Sequence, residues 1–285
     1  MSRPPDSSRD PSTIYADLHT HTDHSDGRLS PARLVERAAE RDISALAVTD
    51  HDTTAGLEAA LAAGRTHGLT VLTGAELSVT LDENELHLLV YGFDPTHEAL
   101  REHLRRMQEA RRRRVWKMVD RLRTQGVEVE EETLREEMAG TAAAGRPHLA
   151  AALVHSGHVD TLQAAFDRYL GRDGPGFVSK PAFPVPEALT VVHEAGGIGV
   201  LAHPGHWTSS TQIRRLVAAG LDGLEVYHPS HGASLRSYYR RVARSYDLLV
   251  TGGSDYHGRT ADEETNFGRI GLNTSGWERF RAAVA

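Results

Sequence analysis

The sequence contains no cysteine and no apolar run long enough to cross a membrane. The absence of cysteine excludes disulfide bonds, a thiol nucleophile and thiolate metal ligands. It fits a reducing compartment, so we expect a cytoplasmic protein. Because a membrane-spanning helix needs about 20 apolar residues, no association with a membrane is expected. Residues 1–12 are rich in Ser, Pro, Arg and Asp, which predicts a disordered tail.

The overall charge is acidic, but one short segment is strongly basic. Lys and Arg number 32 against 39 Asp and Glu, which gives a formal net charge of -7. This balance argues against a general nucleic-acid coat protein. The four arginines at residues 111–114 are interpreted as a solvated helix face, and contact with a phosphate backbone is the alternative. With 39% hydrophobic and 25% charged residues, the composition is that of a packed globular protein.

Short apolar segments alternate with helical patterns along most of the chain. The segments are apolar on both faces, which is typical of a parallel sheet covered by helices. Ser30 followed by Pro31 predicts the start of one of the helices, with Ser30 as its N-cap. Seven strand–helix units predict a distorted seven-stranded βα barrel of the TIM type, an α/β fold. The predicted strands span residues 14–18, 45–48, 70–72, 86–91, 198–201, 223–226 and 248–250.

The alternation of strands and helices breaks in the middle of the chain. Residues 95–183 contain one long charged helical pattern and two shorter ones, which predicts an inserted helical subdomain that covers the active site. Residues 13–94 and 184–285 are then expected to form the barrel. In such barrels the active site lies at the C-terminal ends of the strands.

Histidines and carboxylates follow, or lie inside, one predicted strand after another. His19 and His21 alternate in an extended segment, so both imidazoles face the same side. Nitrogen and oxygen donors without thiolates suit manganese, iron or zinc at a hydrolytic centre. So many donors predict two or three divalent ions close together, and a carboxylate such as Glu76 can bridge two of them. The further candidates are Asp26, His51, His87, His203, His228, Asp255 and His257.

Four sequence motifs resemble, in order, those of the PHP (polymerase and histidinol phosphatase) family of metal-dependent phosphoesterases. They are Asp17-Leu18-His19-Thr20-His21 with Ser25-Asp26-Gly27, then Thr49-Asp50-His51-Asp52, then His203 before Pro204, and finally Asp255-Tyr256-His257. The resemblance covers the chain apart from the tail. It implies that the metal ligands are His19, His21, Asp26, His51, Glu76, His87, His203, Asp255 and His257. It also favours His87, whose position inside a strand leaves its role open from the residues alone.

A further segment, Gly145-Arg146-Pro147-His148, resembles one bacterial branch of this family. The branch includes 3′,5′-nucleotide bisphosphate phosphatases, nucleoside monophosphate phosphatases and 5′-to-3′ exoribonucleases. It implies a phosphatase that hydrolyses a phosphomonoester of a small nucleotide by metal-activated water, with manganese expected and iron or zinc as alternatives. Arg146 offers a bidentate fork for a phosphate. The predicted catalytic residues are Asp26, Arg146 and His228, and the predicted substrate contacts are Arg146, His148, His228 and His231.

Two alternative functions stay open. A 5′-to-3′ exoribonuclease acting on short 5′-phosphorylated RNA would use the same metals, and a non-catalytic PHP module would bind metal or nucleotide without turnover. A histidinol phosphatase is less favoured because Arg146 points to the nucleotide branch. Asp50 and Asp52 are expected to orient imidazoles, and Lys180 and His206 have no predicted role. The sequence does not predict an oligomeric state.

Overall fold

A seven-stranded sheet lies at the centre of the computed structural model, which describes residues 13–82, 84–180 and 183–284. Its strands lie side by side in chain order. They are β1 (Ala16–Thr20), β2 (Ala45–Val48), β3 (Thr70–Leu81), β4 (Asn84–Tyr91), β5 (Ile198–Leu201), β6 (Gly223–Tyr227) and β7 (Leu249–Gly252). Each predicted strand is present, but β3 continues to Leu81 instead of ending at residue 72. The predicted tail at residues 1–12 lies outside the described residues.

One strand runs against the others. Strands β1 to β3 pair in parallel, as do β5 to β7, whereas β4 is antiparallel to both of its neighbours. The prediction of a parallel sheet is therefore wrong for β4. The reason is local, because Leu81 of β3 pairs with Asn84 of β4 and so short a connection can join only antiparallel strands. A bridge between Thr20 and Tyr256 brings β1 next to the chain that follows β7, so the sheet nearly closes into a barrel.

Helices surround this sheet and bury their apolar faces against it. Ser30 caps the first helix as predicted, and its side chain accepts a hydrogen bond from the Arg33 N–H at 3.5 Å. Leu34, Val35 and Ala38 of that helix are buried in the main hydrophobic core. The helices are α1 (Pro31–Glu40), α2 (Leu57–His67), α3 (Glu98–Thr124), α4 (Glu131–Glu137), α5 (Arg146–His155), α6 (Leu162–Ala165), α7 (Val185–Glu194), α8 (Ser210–Ala218), α9 (Ala233–Ser245), α10 (Ala261–Asn266) and α11 (Thr274–Ala283).

The segment from α3 to α6 has a hydrophobic cluster of its own. Val115, Met118 and Leu122 of α3 pack with Leu149 and Leu153 of α5 in this cluster. The boundaries 95–183 of the predicted subdomain stay a prediction. Among the residues that the structure describes, no helix is both long enough and apolar enough to cross a membrane.

Two arginines of α3 depart from the prediction of a solvated face at residues 111–114. Arg111 and Arg114 are buried, whereas Arg112 and Arg113 are exposed. Arg111 forms an ion pair with Asp52, which follows β2, and Arg114 donates from Nε to the Val178 carbonyl. These contacts replace solvent for both guanidinium groups. The long helix α3 therefore presents two buried cations to the barrel.

Candidate metal centre

Glu76, in the middle of β3, lies at the centre of a cluster of histidines. Its carboxylate is almost completely buried. Its Oε2 atom lies 3.2 Å from one ring nitrogen of each of three histidines, and its Oε1 atom lies 2.6 and 3.0 Å from ring nitrogens of two others. The first three are His19, His21 and His51, and the other two are His87 and His203. Its two oxygens thus face different groups of ring nitrogens, as a bridging carboxylate requires.

Strand geometry explains how these side chains converge. Side chains alternate along β1 and the residue that follows it, so His19 and His21 point to one side while the Thr20 hydroxyl donates to the Ala47 carbonyl at 2.7 Å. His87 lies in the first half of β4. Because β4 is reversed, its first half lies at the same end of the barrel as the C-terminal ends of the other strands. The antiparallel direction of β4 thus explains why His87 precedes the end of its strand and still reaches Glu76.

Asp26 and Asp255 complete the cluster. The Oδ1 atom of Asp255 lies 3.2 Å from Nε2 of both His19 and His21. The Oδ1 atom of Asp26 lies 3.3 Å from Nε2 of His257 and 3.8 Å from Nδ1 of His21. The structure therefore brings together all nine residues that the resemblance gave as metal ligands.

Two of these residues have backbone conformations that favour glycine. The φ angle is 28° at His203 and 52° at Asp255, and such left-handed non-glycine residues cost about 1–3 kcal/mol each. Both are held by backbone hydrogen bonds. The His203 N–H donates to Glu225 Oε2 at 2.7 Å, and the Asp255 N–H donates to the His19 carbonyl at 2.9 Å. The strain coincides with the cluster, as is common at functional sites.

The cluster has the properties of a site for divalent cations. His21 is fully buried, yet neither of its ring nitrogens makes a well-directed hydrogen bond, and Nδ1 of His51 and of His87 lack one as well. Burial opposes a charge on His21, but the carboxylate oxygens of Asp255 and Glu76, each 3.2 Å from Nε2, outweigh it and raise the pKa of His21 to about 10. The carboxylates that would hold a proton on this ring also attract a metal ion. Nitrogen and carboxylate oxygen donors without sulfur fit manganese, iron or zinc.

Glu225 is a member of the site that the sequence reasoning missed. It is fully buried in β6, and its Oε1 atom lies 3.0 Å from Nδ1 of His19. With His228 it forms a second group of donors around His19. His228 was predicted to contact phosphate or donate a proton, and here its Nε2 lies 3.3 Å from Asp255 Oδ2. A carboxylate inside the apolar segment Gly223–Tyr227 was the signal that could have revealed Glu225.

The two aspartates beside His51 do not orient imidazoles, contrary to expectation. Asp50 accepts hydrogen bonds from the Thr22 N–H and hydroxyl and from the Ser25 hydroxyl at 2.6–2.7 Å. Asp52 accepts from the Ser78 N–H at 2.7 Å and pairs with Arg111. Both positions therefore fix the backbone around the cluster instead of its rings.

Lys180, which had no predicted role, lies against the cluster. Its Nζ atom is 2.9 Å from Nε2 of His87 and 3.1 Å from the Ser78 hydroxyl, which also accepts from Arg111 Nη2 at 2.8 Å. Burial, followed by the charge of Arg111, lowers the pKa of Lys180 to about 7. His206, the other residue without a predicted role, is exposed.

The predicted phosphate clamp lies close to the same group of cations. The Arg146 guanidinium stands over the rings of Phe166 and Phe177 at 5.7 and 5.9 Å, and Arg114 faces Phe177 from 5.7 Å. The pKa of Arg146 is lowered by burial, with the charge of Arg111 as a further cause. Burial and the neighbouring Arg146 lower the pKa of Arg114 to about 10. Both guanidinium groups are thus at least partly withdrawn from water.

The two remaining predicted substrate contacts are buried and bonded to backbone. His148 accepts a hydrogen bond on Nδ1 from the Gly145 N–H at 3.1 Å, which caps α5. His231 is bonded through Nδ1 to the Val226 carbonyl at 3.0 Å and accepts from the Gly205 N–H on Nε2 at 3.2 Å. Both ring nitrogens of His231 are thus occupied, which leaves none for a substrate in this conformation.

Gly253 provides a test of how closely the barrel supports the cluster. A Cβ atom at this position would lie 2.4 Å from both the N and Cβ atoms of His19. Gly253→Ala is therefore expected to displace His19 and to reduce the bound metal, at a cost of about 1–3 kcal/mol in stability. Metal content by mass spectrometry is the readout. In Gly232→Ala a Cβ atom would meet nothing within 4 Å, so unchanged metal content is expected there. Full metal content in Gly253→Ala would contradict the prediction.

Comparison with known proteins agrees with this geometry. A 5′-3′ exoribonuclease, Rnm, from Salmonella typhimurium is 35% identical over 252 residues, 86% of this chain and 85% of the relative. A 3′,5′-nucleoside bisphosphate phosphatase from Chromobacterium violaceum is 35% identical over 246 residues, 85% of this chain and 86% of the relative. The structure of a protein from Bifidobacterium adolescentis, named as a metal-dependent phosphoesterase, superimposes with a TM-score of 0.86 at 32% identity, covering 94% of this chain and 96% of that one.

The nearly closed barrel and its buried histidine–carboxylate cluster, together with these relatives, define a metal-dependent phosphoesterase. Residues 17–173 match the model of the PHP domain family. The chain belongs to the PHP domain family, and the resemblance seen in its four sequence motifs is confirmed.

Proposed function

We propose that this protein is a phosphatase that hydrolyses a phosphomonoester of a small nucleotide, either a 3′,5′-nucleotide bisphosphate or a nucleoside monophosphate. The observation that carries the proposal is Glu76, whose two oxygens face different groups of histidine nitrogens at 2.6–3.2 Å. A carboxylate so placed can hold two ions close together, the arrangement that suits displacement at phosphorus. The relative named 3′,5′-nucleoside bisphosphate phosphatase supports the choice of substrate.

We propose that two or three divalent ions bind here, with manganese as the first candidate. Their ligands are the nine residues that cluster around Glu76. Three overlapping groups of these donors can be distinguished, and His21, His51 and Glu76 are shared between them. When bound, the ions supply an activated water and stabilise charge on the phosphate oxygens. The protein side chains fix the positions of the ions, and Glu225 fixes the ring of His19 from behind.

The buried cations beside the cluster support an anionic substrate. Besides burial, the charge of Arg111 lowers the pKa of three neighbouring cationic side chains, Arg114, Arg146 and Lys180. The carboxylates that act on these groups are Asp52 and Glu85. The three arginines alone outnumber the two carboxylates, which leaves an excess of positive charge in a partly desolvated place. One Nη of Arg114 is buried without a hydrogen-bond partner. A phosphate group carries the charge and the acceptor oxygens that would satisfy these donors.

A decisive test is phosphate release from adenosine 3′,5′-bisphosphate by the manganese-loaded protein. His203→Ala serves as the control, because His203 contacts Glu76 at 3.0 Å and is proposed to hold metal. Release that disappears in the variant supports the proposal. No release from the wild-type protein would reject it. It would also favour the exoribonuclease, whose activity on 5′-phosphorylated RNA should fall steeply with salt.

Arg146→Ala should weaken catalysis on the bisphosphate without loss of metal. Removing a charged partner of a phosphate costs about 1.5–3 kcal/mol, so kcat/KM should fall between about tenfold and a hundredfold. Arg172→Ala removes an exposed arginine from the same region and should leave kcat/KM unchanged. Equal kinetics for the two variants would rule out the proposed clamp.

The location and the domain organisation are part of this proposal. A cytoplasmic enzyme is consistent with the absence of cysteine. The helical segment at residues 95–183 is proposed to cover the substrate, since it contributes Arg111, Arg114 and Arg146 to the cation cluster and Lys180 to the contact with His87.

A further inference from the structure

A second basic site lies on the wall of the barrel, apart from the predicted metal ligands. A cavity of about 540 Å³ opens between α9, β7, the segment at residues 269–273 and α11. None of its lining residues belongs to the nine predicted ligands. The size is within the range of sites that bury a small organic ligand, about 300–1,000 Å³.

Four arginines surround this cavity. Arg236 and Arg240 come from successive turns of α9, Arg269 from the segment between α10 and α11, and Arg279 from α11, whereas Asp247 is the sole carboxylate among the lining residues. Within residues 13–82, 84–180 and 183–284, none of the four arginines has a carboxylate oxygen within 4.0 Å. By contrast, Arg105 on α3 pairs with Glu102 at 2.9 Å. The cavity therefore concentrates uncompensated positive charge in a protein whose formal net charge is -7.

Arg236 is the most constrained of the four. It is half-buried, and its Nε atom is buried without a hydrogen-bond partner. One Nη donates to the His228 carbonyl at 3.3 Å. A guanidinium withdrawn from water in this way favours an anionic ligand with acceptor oxygens, since charge-assisted hydrogen bonds then replace the lost hydration.

The rest of the lining suits the apolar part of such a ligand. Leu272 and Phe280 are almost fully buried and line the cavity together with Ile14 and Leu249. Gly271 and Gly276 also line the cavity. An apolar interior with a basic rim matches a nucleotide better than a bare inorganic ion.

We propose that this cavity is a second binding site, separate from the metal centre, for a nucleotide or similar organic phosphate. Its position connects it to the cluster, because Arg236 bonds to the His228 carbonyl and His228 Nε2 lies 3.3 Å from Asp255 Oδ2. The phosphate group is held by the arginines, and the planar apolar group packs against the aliphatic and aromatic side chains.

The experiment is calorimetric titration of the metal-loaded protein with a phosphonate analogue of AMP, in which a methylene group replaces the ester oxygen so that the probe resists hydrolysis. Arg240→Ala/Arg279→Ala removes two exposed cations from the cavity. The affinity of this double variant for the probe at the cavity should fall at least about a hundredfold, so the variant should bind one equivalent fewer than wild type. The matched control Arg244→Ala/Arg281→Ala removes one exposed arginine from each of the same two helices outside the cavity and should bind like wild type.

The same stoichiometry in all three proteins, including no binding at all, would overturn the proposal. Failure of the proposed phosphatase activity is a separate result, because it appears as absent phosphate release while the difference between the two double variants in the titration persists. Thermal unfolding of the double variants within a few degrees of wild type shows that their folds are intact.

Discussion

Replacing Glu76 by Gln is expected to abolish phosphate release and to reduce the bound metal. The substitution keeps the volume of the side chain, but it removes the negative charge and places an amide N–H₂ among ring nitrogens 2.6–3.2 Å away. Loss of the proposed bridging ligand should raise the barrier by about 4 kcal/mol, which is a thousandfold fall in turnover. Metal content and phosphate release are measured on the same preparation.

The control is Glu187→Gln on the exposed side of α7, which makes the same chemical change away from the cluster. Its metal content and turnover should equal those of the wild type. If Glu76→Gln retained both its metal and its turnover, the central role of this carboxylate would be wrong, whatever the substrate proves to be.

Replacing Arg111 by Met is expected to cause a large loss of stability. Arg111 and Asp52 are both buried, and the substitution leaves the Asp52 carboxylate without its cation. An unpaired buried charge of this kind costs about 3–5 kcal/mol. The free energy of unfolding, measured by denaturant titration at neutral pH, should fall by that amount. Arg112→Met, one position along the helix but exposed, should change it by less than about 0.5 kcal/mol.

A second substitution separates the lost charge from the lost packing. In Asp52→Asn/Arg111→Met neither charge of this pair remains, and the Asn oxygen can still accept the hydrogen bond from the Ser78 N–H. The double variant should therefore be more stable than Arg111→Met alone. A double variant that is less stable than the single one would show that packing of the Arg111 side chain, not pairing of charge, dominates.

Much of the fold and of the cluster can be predicted from the sequence, because candidate ligands recur in or after one apolar strand after another. His19, His51, His203 and Asp255 stand in or directly after apolar strands, and parallel strands bring such positions to one end of a barrel. This rule can be applied to the sequence without knowing any distance in the structure. The same rule misjudges β3 and β4, because the β3–β4 hairpin depends on a tight turn that apolar periodicity does not encode.

The partners of the buried charged residues are the part of the site that could not be predicted from the sequence. Glu225 and Arg111 are surrounded by residues distant in the chain, and their partners His19 and Asp52 lie 206 and 59 positions away. Periodicity places Arg111 on the surface because its immediate neighbours are arginines. Of the four arginines at residues 111–114, Arg112 and Arg113 face solvent, whereas Arg111 and Arg114 face inward. Only the tertiary packing of α3 decides this difference.

The distribution of ligands along the chain has a consequence for folding. Glu76 and His87 lie on one hairpin, whose closure costs little chain entropy. His21 and Asp255 lie on opposite sides of the seam where β1 meets the chain after β7, and the bridge there joins Thr20 to Tyr256. An ion bound by both residues would link the two sides of that seam. Metal uptake would then report that the last strand has docked, and removal of metal should loosen the seam before the hairpin.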